Sequence, residues 1–195
     1  MDYKIENLYP TPIYCSRARQ FEDVQQELKT TVENTNFAIR EDWGTHYLSH
    51  QNLGSNFIED NELFYFSTEI DFHVRNYCKE IGSVVPNYRL ESWISMFKPG
   101  NYGHIHSHGY SDISGVYYYK TNGDDGDIFF ECPVPTIGSS FCYFNNYCNR
   151  WIHKPEEGKI LLFPSWLKHG ISKNKTDETR ISISFNLYFD RGVNK

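Results

Sequence analysis

Near residue 86 the apolar periodicity of this 195-residue chain changes from helical to extended, and that change divides the fold in two. Before it, Phe21, Val24, Leu28 and Val32 recur at helical spacing. Leu63, Phe66, Ile70, Tyr77 and Ile81 do so again after Asp60-Asn61, a helix cap by residue type. Two amphipathic helices are predicted. Ahead of them, residues 8–14 contain two prolines, which forbid helix and favour an extended edge strand. After residue 86 the period is two: residues 89–97, 115–121, 127–131, 141–145, 159–163 and 180–189 read as short strands separated by Gly, Pro, Asn and Asp turns. The expectation is one mostly β domain over residues 1–195, with an opening strand and supporting helices in 1–86 and a β-barrel core in 87–190. The 15 Tyr, 14 Phe and 4 Trp, concentrated in the second half, suit that core.

The last strand is the most regular. Ile181, Ile183, Phe185, Leu187 and Phe189 share one face, and Arg180, Ser182, Ser184, Asn186 and Tyr188 share the other. The apolar face is expected to pack on the helices. The polar face points either to solvent, which the strand alone favours, or into a barrel lumen as the lining of a site.

Charge and cysteine usage narrow the function. The net charge is -6 and the Lys and Arg residues form no basic stripe, which argues against nucleic acid as a partner. Cys15, Cys78, Cys132, Cys142 and Cys148 are an odd set without CxxC spacing, and the polar amino terminus contains no apolar signal or spanning segment. These point to a soluble cytoplasmic protein that does not engage a membrane. Asn174-Lys175-Thr176 matches a glycosylation acceptor but reads as a polar turn.

The chemistry concentrates in Gly100-Asn101-Tyr102-Gly103-His104-Ile105-His106-Ser107-His108. In an extended segment three imidazoles at every second position share one face, and two of them can reach one metal ion. His169, on a distant strand, would be a third ligand, leaving the other side of the metal open. Arg180 follows eleven residues later with Ser182 on the same face, and a guanidinium in a lumen is a bidentate clamp for a carboxylate. An acidic cosubstrate is implied. His73, near the apolar stripe of the second helix, reads as a packed core histidine, while His46, His50 and His153, in polar connections, read as surface residues.

His106-Ser107-His108, Ser114-Gly115-Val116-Tyr117-Tyr118, His169 and Arg180-Ile181-Ser182-Ile183-Ser184-Phe185-Asn186, in that order, resemble the 2-oxoglutarate and Fe(II)-dependent oxygenases of bacteria and their phages. Tyr9-Pro10-Thr11-Pro12-Ile13-Tyr14 is similar to the start of those proteins. The resemblance implies a double-stranded β-helix, or jelly roll, with iron near the barrel mouth. It implies a dioxygenase that consumes 2-oxoglutarate and O2, releases succinate and CO2, and hydroxylates an unidentified substrate, a small molecule or a protein side chain. It also implies His106 and His169 as Fe(II) ligands, Arg180 as the clamp on the far carboxylate of 2-oxoglutarate, Ser182 as its hydroxyl partner and Tyr118 as a further cosubstrate contact. His108 falls where the wider superfamily has Asp or Glu. It completes the expected ligand set, with Asp112 the alternative if the turn folds back, and His104 a substrate or outer contact. Assembly as a homodimer is left open.

Two other readings compete. Gly100, His106-Ser107-His108 and Asp112, followed by Gly158, Pro164 and His169, also resemble the two cupin motifs, which would make a metal-dependent dioxygenase or isomerase on the same barrel. Arg180-Ile181-Ser182 separates them, since a site built of protein ligands alone has no need of a buried clamp. Alternatively Trp43, Trp93, Trp151 and Trp166 form a stacking platform of a non-enzymatic jelly-roll binding module. The prime substrate is set by loops such as residues 145–155, whose shape sequence does not supply.

Overall fold

The computed structural model describes residue 4 and residues 10–49, 55–85, 87–134 and 150–191. The chain opens with β1 (Tyr14–Arg17) and α1 (Phe21–Glu33). β2 (Ala38–Ile39), a 3-10 turn (Glu41–Trp43), β3 (Tyr47–Leu48), α2 (Phe57–Asp60) and α3 (Phe64–Glu80) follow. The rest is extended: β4 (Tyr88–Phe97), β5 (Gly103–His106), β6 (Ile113–Lys120), β7 (Ile128–Glu131), β8 (Arg150–His153), β9 (Lys159–Pro164), β10 (His169–Ile171) and β11 (Arg180–Phe189). A seven-stranded sheet runs β1-β9-β6-β11-β4-β3-β2, and a four-stranded sheet runs β5-β10-β7-β8. Every strand pair within them is antiparallel.

The larger sheet is buried on both faces. Its outer face carries Ile94, Tyr117, Ile160, Leu162, Ile183, Phe185 and Leu187 against Val24 and Leu28 of α1 and Phe66, Ile70, Val74 and Tyr77 of α3. Each of these side chains is worth about 1.5–3 kcal/mol on full burial, so this layer is the main source of stability. Gly115 lets Phe185 lie flat there, since a Cβ at that position would sit 2.4 Å from the ring. The inner face, with Val116, Tyr118, Leu161 and Phe163, meets Ile128 and Phe130 of the smaller sheet and closes a second core.

Both predicted helices form, but the cap is elsewhere. Asp60-Asn61 ends α2, whose own N-cap is Asn56, accepting the Glu59 N–H at 3.4 Å. α3 starts at Phe64 after Leu63, without a side-chain cap of its own. The Glu27 carboxylate of α1 accepts the N–H groups of Tyr65 and Phe66, both at 2.9 Å, so its open donors are satisfied across the helix pair. The opening strand begins at Tyr14 rather than in the proline-bearing stretch before it, and pairs with β9 as an edge of the larger sheet. The strands β2, β3 and β8 are two to four residues long, and residue order did not mark them. The strand expected at 141–145, His50, Cys142 and Cys148 lie outside the described residues.

The polar face of β11 does not point to solvent. β11 lies between β4 and β6, and Arg180, Ser182 and Asn186 are buried against the interior. His73 is the packed core residue expected, bonded to the Tyr14 hydroxyl at 2.9 Å and to the buried Glu69 at 3.2 Å. His153 is only partly surface, with its Nε2 enclosed and without a partner among the described residues. Asn174 is buried, its amide donating to the Phe97 and Glu178 carbonyls, so the acceptor-like tripeptide is a closed turn. Among the described residues no helix is long and apolar enough to cross a membrane.

Candidate metal and cosubstrate site

Three strands of different origin bring the candidate residues together. Across the smaller sheet, His106 at the end of β5 is in register with His169 at the start of β10, so both rings face the interior. His108 lies two residues past the end of β5, where its backbone N–H donates to the Ser165 carbonyl at 2.8 Å and turns its ring back towards the pair. One ligand nitrogen from each of His106, His108 and His169 lies within 4.8 Å of the others, a group able to hold a metal ion. The two flanking rings have fixed tautomers. His106 Nδ1 bonds the His104 carbonyl at 2.8 Å and His169 Nδ1 bonds the Leu167 carbonyl at 2.9 Å, which requires N–H at Nδ1 and leaves Nε2 as a lone pair.

All three imidazoles are neutral at physiological pH. Burial is the first cause, pushing His108 down to about 2 and His169 to about 3, with repulsion from the neighbouring imidazoles second. His106 is also lowered by burial, against the opposing effect of its bond to His104. Neutral nitrogen donors packed this tightly are a poor arrangement for three cations and a good one for a divalent metal.

The second cluster lies on the larger sheet. Arg180, wholly buried, is paired in register with Phe97, and its guanidinium packs 4.1 Å over the Phe97 ring. One terminal nitrogen donates to the Gly126 carbonyl, while Nε has no hydrogen-bond partner among the described residues. Burial lowers its pKa from a value so high that the group stays charged. The Tyr118 ring lies 5.8 Å from it, also buried, with a hydroxyl that lacks a partner among the described residues. Ser182 sits in register with both Tyr118 and Ser95. Arg180, Tyr118, Ser182 and the three histidines line one continuous cleft between the sheets. Beyond it, the Ser114 hydroxyl bridges Asn186 Oδ1 at 2.7 Å and Ser165 Oγ at 2.9 Å and braces the floor.

One candidate ligand drops out, and His104 stands outside the triad. The Asp112 carboxylate accepts the Phe189 N–H at 2.8 Å and pairs with Arg191 at 3.0 Å, so it is turned to the carboxyl end of β11 and away from the triad. His104 is exposed; its backbone carbonyl, not its imidazole, serves the site. Two further residues line the cleft that spacing did not reveal. His46 is buried, stacked on Phe97 at 4.3 Å with Nδ1 on the Tyr102 carbonyl, and burial pushes its pKa down to about 4. Trp43 lies against His106 and His108. Both come from the polar connection before residue 86, and nothing local marks a site there. Trp93 also faces the cleft, whereas Trp151 and Trp166 are exposed and stand outside it, so the four tryptophans form no common platform.

Residues 91–186 match the family described as "Putative 2OG-Fe(II) oxygenase". The matched stretch is the β core that holds the three histidines and Arg180. Solved structures agree on the fold. A prolyl-4-hydroxylase from Pseudomonas putida superposes with a TM-score of 0.62 at 13% identity, covering 92% of this chain and 94% of that one. HygX from Streptomyces hygroscopicus, with nickel and 2-oxoglutarate bound, gives 0.66 at 11% identity over 93% and 84%. The non-heme alpha ketoglutarate dependent epimerase SnoN from nogalamycin biosynthesis gives 0.64 at 14% identity over 94% and 81%. No curated protein sequence matches the chain. The two sheets thus form a double-stranded β-helix like that of these solved structures, and the match over the β core indicates a 2OG-Fe(II) oxygenase.

Proposed function

We propose that this oxygenase is a hydroxylase that converts R–H, 2-oxoglutarate and O2 into R–OH, succinate and CO2, with Fe(II) on His106, His108 and His169 and with Arg180 as cosubstrate clamp. The observation that carries the reading is Arg180 itself. Its guanidinium is wholly buried, with no carboxylate paired to it among the described residues and with Nε unsatisfied. A buried, unpaired charge costs several kcal/mol, and an anionic ligand removes that cost. The cleft that holds it leads to the three imidazoles, so a keto acid with a second carboxylate fits both ends. The partnerless Tyr118 hydroxyl beside Arg180 is a donor for the same carboxylate.

Bound Fe(II) supplies the redox chemistry that couples O2 reduction and decarboxylation of the keto acid to oxidation of a substrate C–H bond. The protein's own contribution is positional and electrostatic. The carbonyls of His104 and Leu167 keep two imidazoles in the tautomer that presents Nε2. With three neutral ligands the metal site keeps its full divalent charge, one unit more than with a carboxylate in place of His108, and this favours a dianionic cosubstrate. Arg180 selects the length of that dianion by fixing where its far end rests, and the Phe97 ring beneath the guanidinium holds it in plane.

Anaerobic titration of Fe(II)-loaded protein with 2-oxoglutarate tests the reading. A visible metal-to-ligand charge-transfer band is expected. Its absence with iron demonstrably bound would transfer the protein to metal chemistry that uses protein ligands alone.

A further inference from the structure

The three imidazoles of the triad are not held alike. His106 and His169 each bond a carbonyl two residues earlier through Nδ1, at 2.8 and 2.9 Å. His108 has no counterpart: its ring nitrogens bond no group among the described residues, and it is tied down through its backbone alone, the N–H donating to the Ser165 carbonyl at 2.8 Å and the carbonyl accepting from the Ser111 N–H and hydroxyl at 3.0 and 3.1 Å. The aromatic rings beside it, apart from the other imidazoles, are two indoles. Trp43 lies 5.8 Å from it with planes 24° apart, a stacked pair, and Trp93 closes the other approach at 5.8 Å and 55°. Trp43 also meets His106 edge-on at 5.0 Å.

Trp43 stands on a rigid mount. It ends the 3-10 turn and is followed by Gly44, whose φ of +137° suits glycine and whose Cβ, if present, would sit 2.4 Å from the Tyr102 carbonyl oxygen. Gly44 bridges Gly103 on β5, and the Thr45 N–H donates to the Tyr102 carbonyl at 3.1 Å. The Thr45 hydroxyl in turn accepts the Tyr102 N–H at 3.0 Å. β3 then carries the strap onto β4. One short segment thus ties the two sheets together and sets an indole against the loop histidine.

We propose that Trp43 is the positioning residue for His108, doing by stacking what a backbone carbonyl does for each of the other two ligands. The proposal rests on the reading of the triad as the metal site. Stacking fixes the plane of a ring but not its tautomer, whereas a hydrogen bond fixes both. His108 is therefore held in orientation with its second nitrogen uncommitted, and its N–H exchanges with solvent more readily than those of the other two ligands.

Co(II) is the probe for both consequences. Its affinity, measured by d–d absorbance in competition with a chelator, is expected to fall by about 10 to 100-fold in Trp43→Leu, the usual loss when support of a metal ligand is removed. Trp43→Phe should recover most of it, and Trp43→Leu should cost nothing further in a His108→Ala background. Unchanged affinity in Trp43→Leu, or the same fold loss with and without His108, overturns the proposal. The wild-type protein gives a second measurement that needs no variant. Among the paramagnetically shifted ring N–H resonances of the Co(II) form, two should persist in water and one should be broadened by exchange, and three equally protected signals would overturn the proposal. The underlying site reading fails separately, through a wild-type protein that binds no Co(II) or through His106→Ala and His169→Ala variants that bind it normally.

Discussion

The two faces of β11 are equally buried and chemically opposite. On the outer face Ile183, Phe185 and Leu187 are inaccessible to solvent and pack in the apolar layer, whereas on the inner face the equally inaccessible Arg180 and the nearly inaccessible Ser182 and Asn186 line a cleft. Burial on one side lowers the free energy of folding; on the other it raises it, because among the described residues the guanidinium leaves water with no directly paired carboxylate, only the more distant Asp125 and Asp127. The same strand therefore contributes stability through its odd-numbered residues and candidate binding groups through its even-numbered ones. A site of this kind is found by asking where a fold tolerates an unfavourable burial, rather than where it gains most.

The sharpest way to break this division is at the ligands. His106→Ala and His169→Ala should retain little Fe(II) at concentrations that saturate the wild type, a loss beyond the about 10 to 100-fold that removal of an outer hydrogen-bond partner costs. Metal content after gel filtration reads it. On the outer face, Ile183→Ala should destabilise the protein by about 2–5 kcal/mol in urea unfolding while leaving the apparent constant for 2-oxoglutarate unchanged. A raised constant in a folded Ile183→Ala protein would show that the two faces are coupled.

On the inner face the balance reverses. Arg180→Lys keeps the charge but loses the planar fork, so the carboxylate contact should weaken by about 1.5–3 kcal/mol. That is a rise of about 10 to 150-fold in the apparent constant for 2-oxoglutarate, read from cosubstrate consumption, with iron content nearly unchanged. Equal dependence in wild type and variant would remove the clamp from the proposal. The smallest effect is expected at His104. His104→Ala keeps the carbonyl that His106 uses, so metal affinity should stay within the about 0.5 kcal/mol typical of a surface change.

Sequence and structure divide this protein along physical lines. Period and alternation are local properties, so α1, the body of α3 and the longer strands β4, β6, β9 and β11 were legible from residue order, as was the apolar face that meets the helices. The order His106, His108, His169, Arg180 carried the candidate site for a related reason: residues near the ends of strands in a known topology must converge. What residue order left open was every contact that depends on how separate segments meet. Whether the even-numbered face of β11 saw solvent or a lumen depended on the smaller sheet lying over it. Asp112 lost its candidacy only when Phe189 and Arg191 were brought to its carboxylate. The N-terminus of α3 took its cap from Glu27, thirty-seven residues ahead of it, because two helices packed side by side. Most of all, Trp43 and His46 lie some sixty residues before the histidine strand, in a connection too short and too polar for any period to mark. Only the strap between the sheets, through Gly44, Thr45 and Tyr102, places them at the site. Local periodicity follows from the backbone geometry of one segment, but a site wall built from two segments exists only once the chain has closed on itself.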